Sequence, residues 1–148
     1  MVTITGVINN FGFYNDNSSK DKIIEVLRWG NVTLDNIGGS FYNCINLNIP
    51  SVVDVPNITN QNQLTQLFNQ CSSLSTVNNI NSWNTSVVKN LTQTFSNTQF
   101  NQDISSWDVS NVTTFNGTFS RSPFNQDIGS WDVSSAITLT YMLSLIHI

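Results

Sequence analysis

The sequence has few charged residues. Asp, Glu, Lys and Arg make up 9 % of its 148 residues, against about a quarter in ordinary globular domains, and the net charge is −4. The five Lys and Arg residues are scattered along the chain, which disfavours nucleic-acid binding. No apolar run approaches the length of a membrane span, and the first residues lack the basic and apolar regions of a signal peptide.

Metal-binding and nucleophilic side chains are also scarce, with one histidine and two cysteines in the whole chain. A structural zinc site uses about four such ligands, so we expect no metal site. We likewise expect no cofactor and no catalytic residue. The apolar share of 39 % is nevertheless enough for a core, and the length fits one domain.

The apolar residues follow an internal repeat, which is the sign of a stacked architecture. Residues 100–110 recur almost unchanged as residues 124–134. One register of the repeat holds Trp29, Pro56, Trp83, Trp107 and Trp131, and a second holds Phe41, Phe68, Phe95, Phe119 and Leu143. Both registers have spacings of 27, 27, 24 and 24 residues, and 12 residues separate them in every copy. We expect the Trp and Phe residues of these registers to form a core ladder.

The spacing within each copy predicts one short strand and one short helix. Apolar residues such as Val112, Phe115 and Phe119 form one stripe of a helix, with Ser86, Ser110 and Ser134 at N-cap positions. The middle of residues 100–107 is predicted to be a strand of three or four residues. Residues 108–111 have the composition of a turn in which Asp and Ser side chains bond the backbone ahead.

Residues 1–28 do not follow the repeat. Residues 2–8 alternate between apolar and polar, residues 11–14 are rich in aromatics, and residues 22–27 are largely apolar. We predict two or three strands here, forming a β cap over the open edge of the first repeat. Residues 15–21 are predicted to be a solvated loop.

The two 24-residue copies carry the motif Phe-Asn-Gln-Asp-Ile-(Ser/Gly)-Ser-Trp-Asp-Val-Ser, and residues 41–47 and 68–74 match the pattern Phe-x-x-Cys-x-x-Leu. These motifs resemble the BspA-like leucine-rich repeats of bacterial surface proteins and lipoproteins. The resemblance covers roughly residues 22–142. It implies an exported protein at the cell surface or outside the cell that works by adhesion or recognition, without a common catalytic residue.

The last residues depart from the repeat at Leu143, where an aromatic is expected. Residues 143–148 match a peptide that a widely used transposon-based sequencing adaptor encodes in one frame. We interpret them as a non-native, adaptor-derived tail, with the natural chain continuing past Met142. The alternative is an apolar helix end. On the first interpretation the single histidine, His147, is not part of the protein.

Cys44 and Cys71 occupy equivalent positions in neighbouring repeats, so they are expected to stack. One interpretation is a disulfide between the repeats. The interpretation we favour is a pair of small buried thiols, because stacked side chains in a repeat point in parallel.

Four aspartates, Asp103, Asp108, Asp127 and Asp132, recur in the two 24-residue copies. They could bind calcium or act as a carboxylate pair in a polysaccharide-cleaving enzyme. Turn capping and solvation explain them better, since a catalytic pair requires one repeat to differ from the others. The aromatic registers could likewise stack on glycans, but their phase favours a core.

The sequence therefore predicts an α/β fold, a leucine-rich-repeat-like solenoid of about five 24–27-residue coils with an N-terminal β cap. The predicted boundaries are residues 1–28 for the cap, 29–142 for the repeats and 143–148 for the tail. The leading functional hypothesis is a non-catalytic recognition or adhesion module for an unidentified host or cell-surface protein or glycan. A passive spacer and, less favoured, a polysaccharide-degrading enzyme are the alternatives. The predicted binding face is polar and contains Gln102, Asp103, Ser105, Ser106, Gln126, Asp127, Gly129 and Ser130.

Overall fold

The computed structural model describes residues 8–12, 20–34, 38–59 and 62–145. Within these ranges the regular elements are short. Strand β1 spans Ile8–Phe11 and strand β2 spans Val32–Leu34. Single turns of 3₁₀ helix span Lys20–Lys22 and Ile80–Ser82. Most of the described chain therefore lies in turns and irregular segments.

The predicted fold class is wrong. The described residues form no α-helix, and no strand recurs from repeat to repeat, so the protein is not an α/β leucine-rich-repeat-like solenoid. The segments predicted as helices, such as residues 88–95 and 112–119, consist of irregular backbone, an isolated bridge residue and consecutive turns. The segment predicted as a strand within residues 100–107 is irregular backbone.

Five stretches of consecutive turns, which we call the turn tracts, link successive repeats; they comprise residues 39–44, 64–71, 91–98, 115–122 and 139–145. Their amides alternate between two kinds of acceptor. In the tract of residues 64–71, the amides of Gln66 and Phe68 donate to Thr92 and Thr94 of the next tract, at 2.8 and 3.0 Å. The amide of Leu67, between them, donates to Leu64 in its own tract at 3.1 Å. The tracts of residues 39–44, 91–98 and 115–122 show the same alternation, which gives the buried backbone partners without a helix or a sheet.

The side chains of the tracts help to explain why no helix forms. Thr94 donates its hydroxyl to the Leu91 carbonyl at 2.8 Å, and Thr118 donates to the Phe115 carbonyl at the same distance. These hydroxyls occupy carbonyls that a helix would need, and Ser, Thr and Asn are weak helix formers. The apolar residues still recur every three or four positions, because consecutive turns repeat with nearly the same number of residues as the turns of a helix.

Each turn tract also holds two residues in the left-handed conformation, four positions apart. The first are Gly39, Gln66, Gln93, Gly117 and Tyr141, and the second are Asn43, Gln70, Asn97, Arg121 and Leu145. Their φ angles lie between 54° and 69°. A residue with positive φ is what the third position of a type II turn requires, and a non-glycine residue there costs about 1–2 kcal/mol. The contacts between tracts must offset this cost.

The core consists of side chains stacked from one repeat to the next. Phe41, Phe68, Phe95 and Phe119 form a continuous column, with neighbouring ring centroids 5.7, 5.7 and 5.8 Å apart. All four are buried. Such offset aromatic pairs add about 0.5–1.5 kcal/mol each to the free energy gained by burying the rings.

Parallel pairing outside the first two strands is confined to isolated residues. Gln63, Asn90, Thr114 and Thr138 pair in succession, just before or at the start of the turn tracts. Ile49 and Val77 form a separate bridge. The run of four paired residues therefore lies outside the predicted strands, whereas the bridge of Ile49 and Val77 lies in the segment that corresponds to the predicted strand of residues 100–107.

The predicted β cap is described only in part. Its first and second predicted strands fall largely on residues 1–7 and 13–19, outside the described residues, as does most of the predicted loop. β1 pairs in parallel with β2, with Ile8 opposite Val32. Residues 22–27, predicted as a strand, instead end a 3₁₀ turn and continue as irregular backbone.

Candidate ligand-binding surfaces

The predicted polar face lies between the turn tracts and the Trp register, and many of its side chains bond to the neighbouring repeat. Gln102 accepts a 2.6 Å hydrogen bond from the Val77 amide through Oε1. Gln126 donates to Asn101 at 3.0 Å, and the hydroxyl of Ser130 donates to the Ser105 carbonyl at 3.4 Å. The amide and hydroxyl of Ser106 both donate to Asn81. The structure therefore brings these residues together on one face. Many of their polar side chains, however, form hydrogen bonds between repeats, in segments where no backbone ladder joins the repeats.

The four repeated aspartates stabilise turns. Asp103 and Asp127 each accept an amide hydrogen bond of 2.8 Å from two residues ahead, at Ser105 and Gly129. Asp108 accepts bonds from both the hydroxyl and the amide of Ser110, at 2.7 and 3.0 Å. These bonds confirm the predicted turn chemistry of residues 108–111. They also show that Ser110, predicted to cap a helix, closes a turn with the aspartate before it.

These hydrogen bonds lower the pKa of three of the carboxyls. Bonds from the amide of Ser105 and the hydroxyl and amide of Ser110 lower the pKa of Asp103 and Asp108. The amide of Ser134 does the same for the pKa of Asp132. A general acid at neutral pH needs a raised pKa, so these carboxylates suit a structural role better than glycosidic cleavage.

The aromatic registers lie in the interior. Trp29, Trp83, Trp107 and Trp131 are all buried, like the Phe column. The indole N–H of Trp107 donates to the Ile80 carbonyl at 2.9 Å, and that of Trp131 donates to the Ile104 carbonyl at 3.2 Å. The indole nitrogens of Trp29 and Trp83 are buried without a hydrogen-bond partner. None of these rings is available as a platform for a glycan.

Cys44 and Cys71 are both buried and both free thiols. Burial raises the pKa of Cys44 to about 11, against a smaller opposing effect of Lys20. Burial, together with the neighbouring Cys44, also raises the pKa of Cys71, whose thiol donates to the Phe41 carbonyl at 3.0 Å. Both cysteines are therefore unreactive fillers of the core. No group of three or more His, Cys, Asp or Glu side chains among the described residues could hold a metal ion.

A shallow groove that the sequence did not predict crosses the second left-handed register. It encloses about 450 Å³ and is lined by Asn43, Ile45, Gln70, Ser72, Asn97 and Arg121. Asn43, Gln70, Asn97 and Arg121 are equivalent residues of four successive repeats, 27, 27 and 24 positions apart. That register follows each Phe of the core column by two positions, so the sequence contained the signal. It was missed because Asn97 and Arg121 were assigned to polar turns that follow the predicted helices.

The groove is mostly polar, and the Ser72 hydroxyl donates to the Ile45 carbonyl at 3.4 Å. Gln70 donates through Nε2 to the Tyr42 hydroxyl at 3.0 Å, and Asn97 donates through Nδ2 to the Ser96 hydroxyl at the same distance. Within the part of the chain that the structure describes, the guanidinium of Arg121 makes no hydrogen bond or ion pair. The lining therefore presents open amide oxygens and one unpaired cation.

Comparison with known proteins gives one result. No curated protein and no solved structure matches the chain significantly. Residues 35–147 match the family described as "Mycoplasma protein of unknown function, DUF285". Because the match covers most of the chain, including the four groove-lining repeats, the protein belongs to this family.

Proposed function

We propose that this protein is a non-catalytic recognition module that binds its ligand along the groove of the second left-handed register. The observation that carries the proposal is the groove itself, in which equivalent side chains of four repeats line one continuous surface of about 450 Å³. Repeated, evenly spaced side chains suit an extended ligand, as in other repeat proteins. The groove has few inter-repeat bonds from its side chains, whereas the predicted polar face uses many.

We further propose that the module is displayed at the cell surface or outside the cell. The support is the resemblance of residues 100–113 and 124–134 to BspA-like repeats of surface proteins and lipoproteins. Among the residues that the structure describes, none forms a helix long and apolar enough to cross a membrane. Protease treatment of intact cells that express the protein tests this point: cleavage supports surface display, and full protection contradicts it.

Binding of the purified full chain to animal cells and to immobilised extracellular-matrix proteins and glycans tests the recognition function. We expect saturable binding that falls in the double variant Asn97→Ala and Arg121→Ala. The matched double variant on the predicted polar face, Asp103→Asn with Asp127→Asn, should bind like the wild type. Loss of binding only in the second variant would move the site to the predicted polar face. Absence of binding to every surface would favour the passive spacer.

A further inference from the structure

The lining of the groove indicates the chemistry of its ligand. Three carboxamides and one hydroxyl offer both donors and acceptors, while Ile45 is the single apolar side chain among the six lining residues. A peptide or lipid ligand gains most of its affinity from apolar pockets, which this surface lacks. Paired donors and acceptors on a shallow polar surface suit a ligand that carries many hydroxyl groups.

Arg121 adds a requirement for negative charge. It lies at the last of the four repeats in the groove, and its side chain is exposed. None of the six lining residues is acidic. A second cation lies near the opposite end, where Lys20 Nζ sits 4.9 Å from the centre of the Tyr42 ring, and Tyr42 bonds to Gln70. Lys20 is itself buried, so Arg121 is the exposed cation of this surface, in a groove whose lining contains no carboxylate. A planar guanidinium without a partner is well suited to pair with a carboxylate.

The spacing of the repeats favours a sugar chain over an extended peptide. Paired strands lie about 4.8 Å apart and the stacked Phe rings of neighbouring repeats lie 5.7–5.8 Å apart, so the four groove positions span about 14–17 Å. Side chains on one side of an extended peptide recur every 6.6 Å or so, which does not match this step. A sugar ring with its linking oxygen is close to one step in length.

The left-handed backbone at the groove positions makes the choice of side chain there informative about ligand binding. Asn43, Gln70, Asn97 and Arg121 have φ angles of 62°, 65°, 56° and 58°, a region in which glycine is least costly. The first left-handed register uses glycine at Gly39 and Gly117, and the groove register uses it at none of its positions. The sequence thus keeps long polar side chains where the backbone alone would favour their removal.

We infer that the groove binds an acidic polysaccharide, with Arg121 pairing with a sugar carboxylate and the carboxamides of Gln70 and Asn97 bonding to ring hydroxyls. This inference rests on the proposed recognition function and names its ligand class. The contact is non-covalent and needs no cofactor.

Binding of the full chain to hyaluronan, alginate and polygalacturonate, measured by surface plasmon resonance, tests the inference. We expect binding to at least one of these uronic-acid polysaccharides and loss of binding to its carboxyl-reduced form. Arg121→Gly should weaken binding about tenfold to a hundredfold, as expected for the loss of a charged hydrogen bond. It should keep or raise the thermal unfolding midpoint, because glycine suits the left-handed backbone. The affinity of Arg121→Lys should lie between that of the wild type and that of Arg121→Gly.

The control is Tyr141→Gly. Tyr141 has the same left-handed backbone conformation, its side chain is 70 % exposed, and it lies outside the groove. Its binding should equal that of the wild type. Equal binding to native and carboxyl-reduced polysaccharide, or full binding by Arg121→Gly, would overturn the inference. Binding to poly-glutamate but to none of the polysaccharides would identify an acidic peptide instead. Binding to none of these probes would also overturn it, while saturable binding to cells would still support the recognition function.

Discussion

The indole N–H of Trp107 donates a 2.9 Å hydrogen bond to the Ile80 carbonyl of the preceding repeat, whereas the equivalent N–H of Trp83 is buried without a partner. The two rings are stacked, with centroids 6.2 Å apart, and both are 3 % exposed. They therefore differ mainly in one hydrogen bond.

This difference predicts unequal effects of the same substitution. Trp107→Phe should lower the free energy of unfolding by about 1 kcal/mol more than Trp83→Phe, because only the first loses a hydrogen bond. Urea denaturation of both variants measures the difference. Equal destabilisation would show that the hydrogen bond of Trp107 contributes nothing to stability.

The Phe column should tolerate no large deletion. Phe95 is fully buried and contacts Phe68, Phe119 and Trp107. Phe95→Ala should cost about 3–5 kcal/mol, a large part of the stability of a small domain. Ile137→Ala, at a side chain that is 85 % exposed, should cost little. Thermal unfolding followed by circular dichroism compares them, and a similar Tm in both would contradict the column as the core.

Two glycines with positive φ allow the cost of a left-handed backbone to be measured apart from the cost of a steric clash. Gly38 has a φ of 92°, and a Cβ there would collide with the Thr65 carbonyl oxygen, which accepts the Gly39 amide at 2.7 Å. Gly30 has a φ of 54° and open space around the same position. Gly38→Ala should cost about 2–5 kcal/mol and Gly30→Ala about 1–2 kcal/mol. Denaturant titration measures both, and the reverse order would refute the close contact.

Acid should destabilise the protein through Asp54. Burial alone would raise its pKa, but amide bonds of 2.8 Å from Trp29 and Gly30 outweigh it and lower the pKa. The ionised form therefore stabilises the fold above the unfolded pKa of about 3.9, and this stability is lost as pH falls through the lower folded pKa. Asp54→Asn should lower the free energy of unfolding by about 1–3 kcal/mol at pH 6 and by little near pH 2.

Asp108→Asn is the matched control for the acid experiment. Asn84 occupies the equivalent position one repeat earlier and already bonds the amide and hydroxyl of Ser86. The control should lose less stability at pH 6 than Asp54→Asn, because Asp108 is exposed and an asparagine can accept the same bonds. If the Asp54→Asn variant lost as much stability at pH 2 as at pH 6, ionisation of Asp54 would not be the cause.

The cysteines should behave as core residues without redox function. Thr98 and Ser122 occupy the position of Cys44 and Cys71 in the later repeats, and their hydroxyls bond Phe95 and Phe119. Cys71→Thr should therefore cost less than about 1.5 kcal/mol, the usual limit for substitutions that conserve volume. Native thiols should react slowly with iodoacetamide at pH 8, because their raised pKa values disfavour the thiolate. A change in Tm on adding reductant would contradict the free thiols.

The sequence predicted which residues are buried far better than it predicted how the backbone runs. The Trp and Phe registers lie inside, and the turn at residues 108–111 forms as expected. The helices failed because a spacing of three or four residues also arises from consecutive turns. Hydroxyls such as those of Thr94 and Thr118 favour the turns. The spacing of apolar residues in the sequence gives no sign of these hydrogen bonds.

The sequence pointed to a different surface from the groove for a related reason. Assigning a strand to residues 100–107 placed the binding face around Gln102 and Gln126, whose side chains bond to neighbouring repeats. Asn43, Gln70, Asn97 and Arg121 carry a register just as regular. Gln70 and Arg121 are exposed, Asn43 and Asn97 are half-buried, and all four have left-handed backbone angles, which composition does not signal at non-glycine residues.

The alternation of amides in the turn tracts has a consequence for the whole molecule. From Gly39 to Arg121, every tract amide that crosses to another repeat points toward the later repeat. The corresponding peptide dipoles therefore add along the stack, as they do along a helix axis. The positive end of these tract dipoles lies at residues 139–145, and amides outside the tracts, such as those of Lys89, Thr113 and Ile137, point toward the earlier repeat and offset part of this polarity.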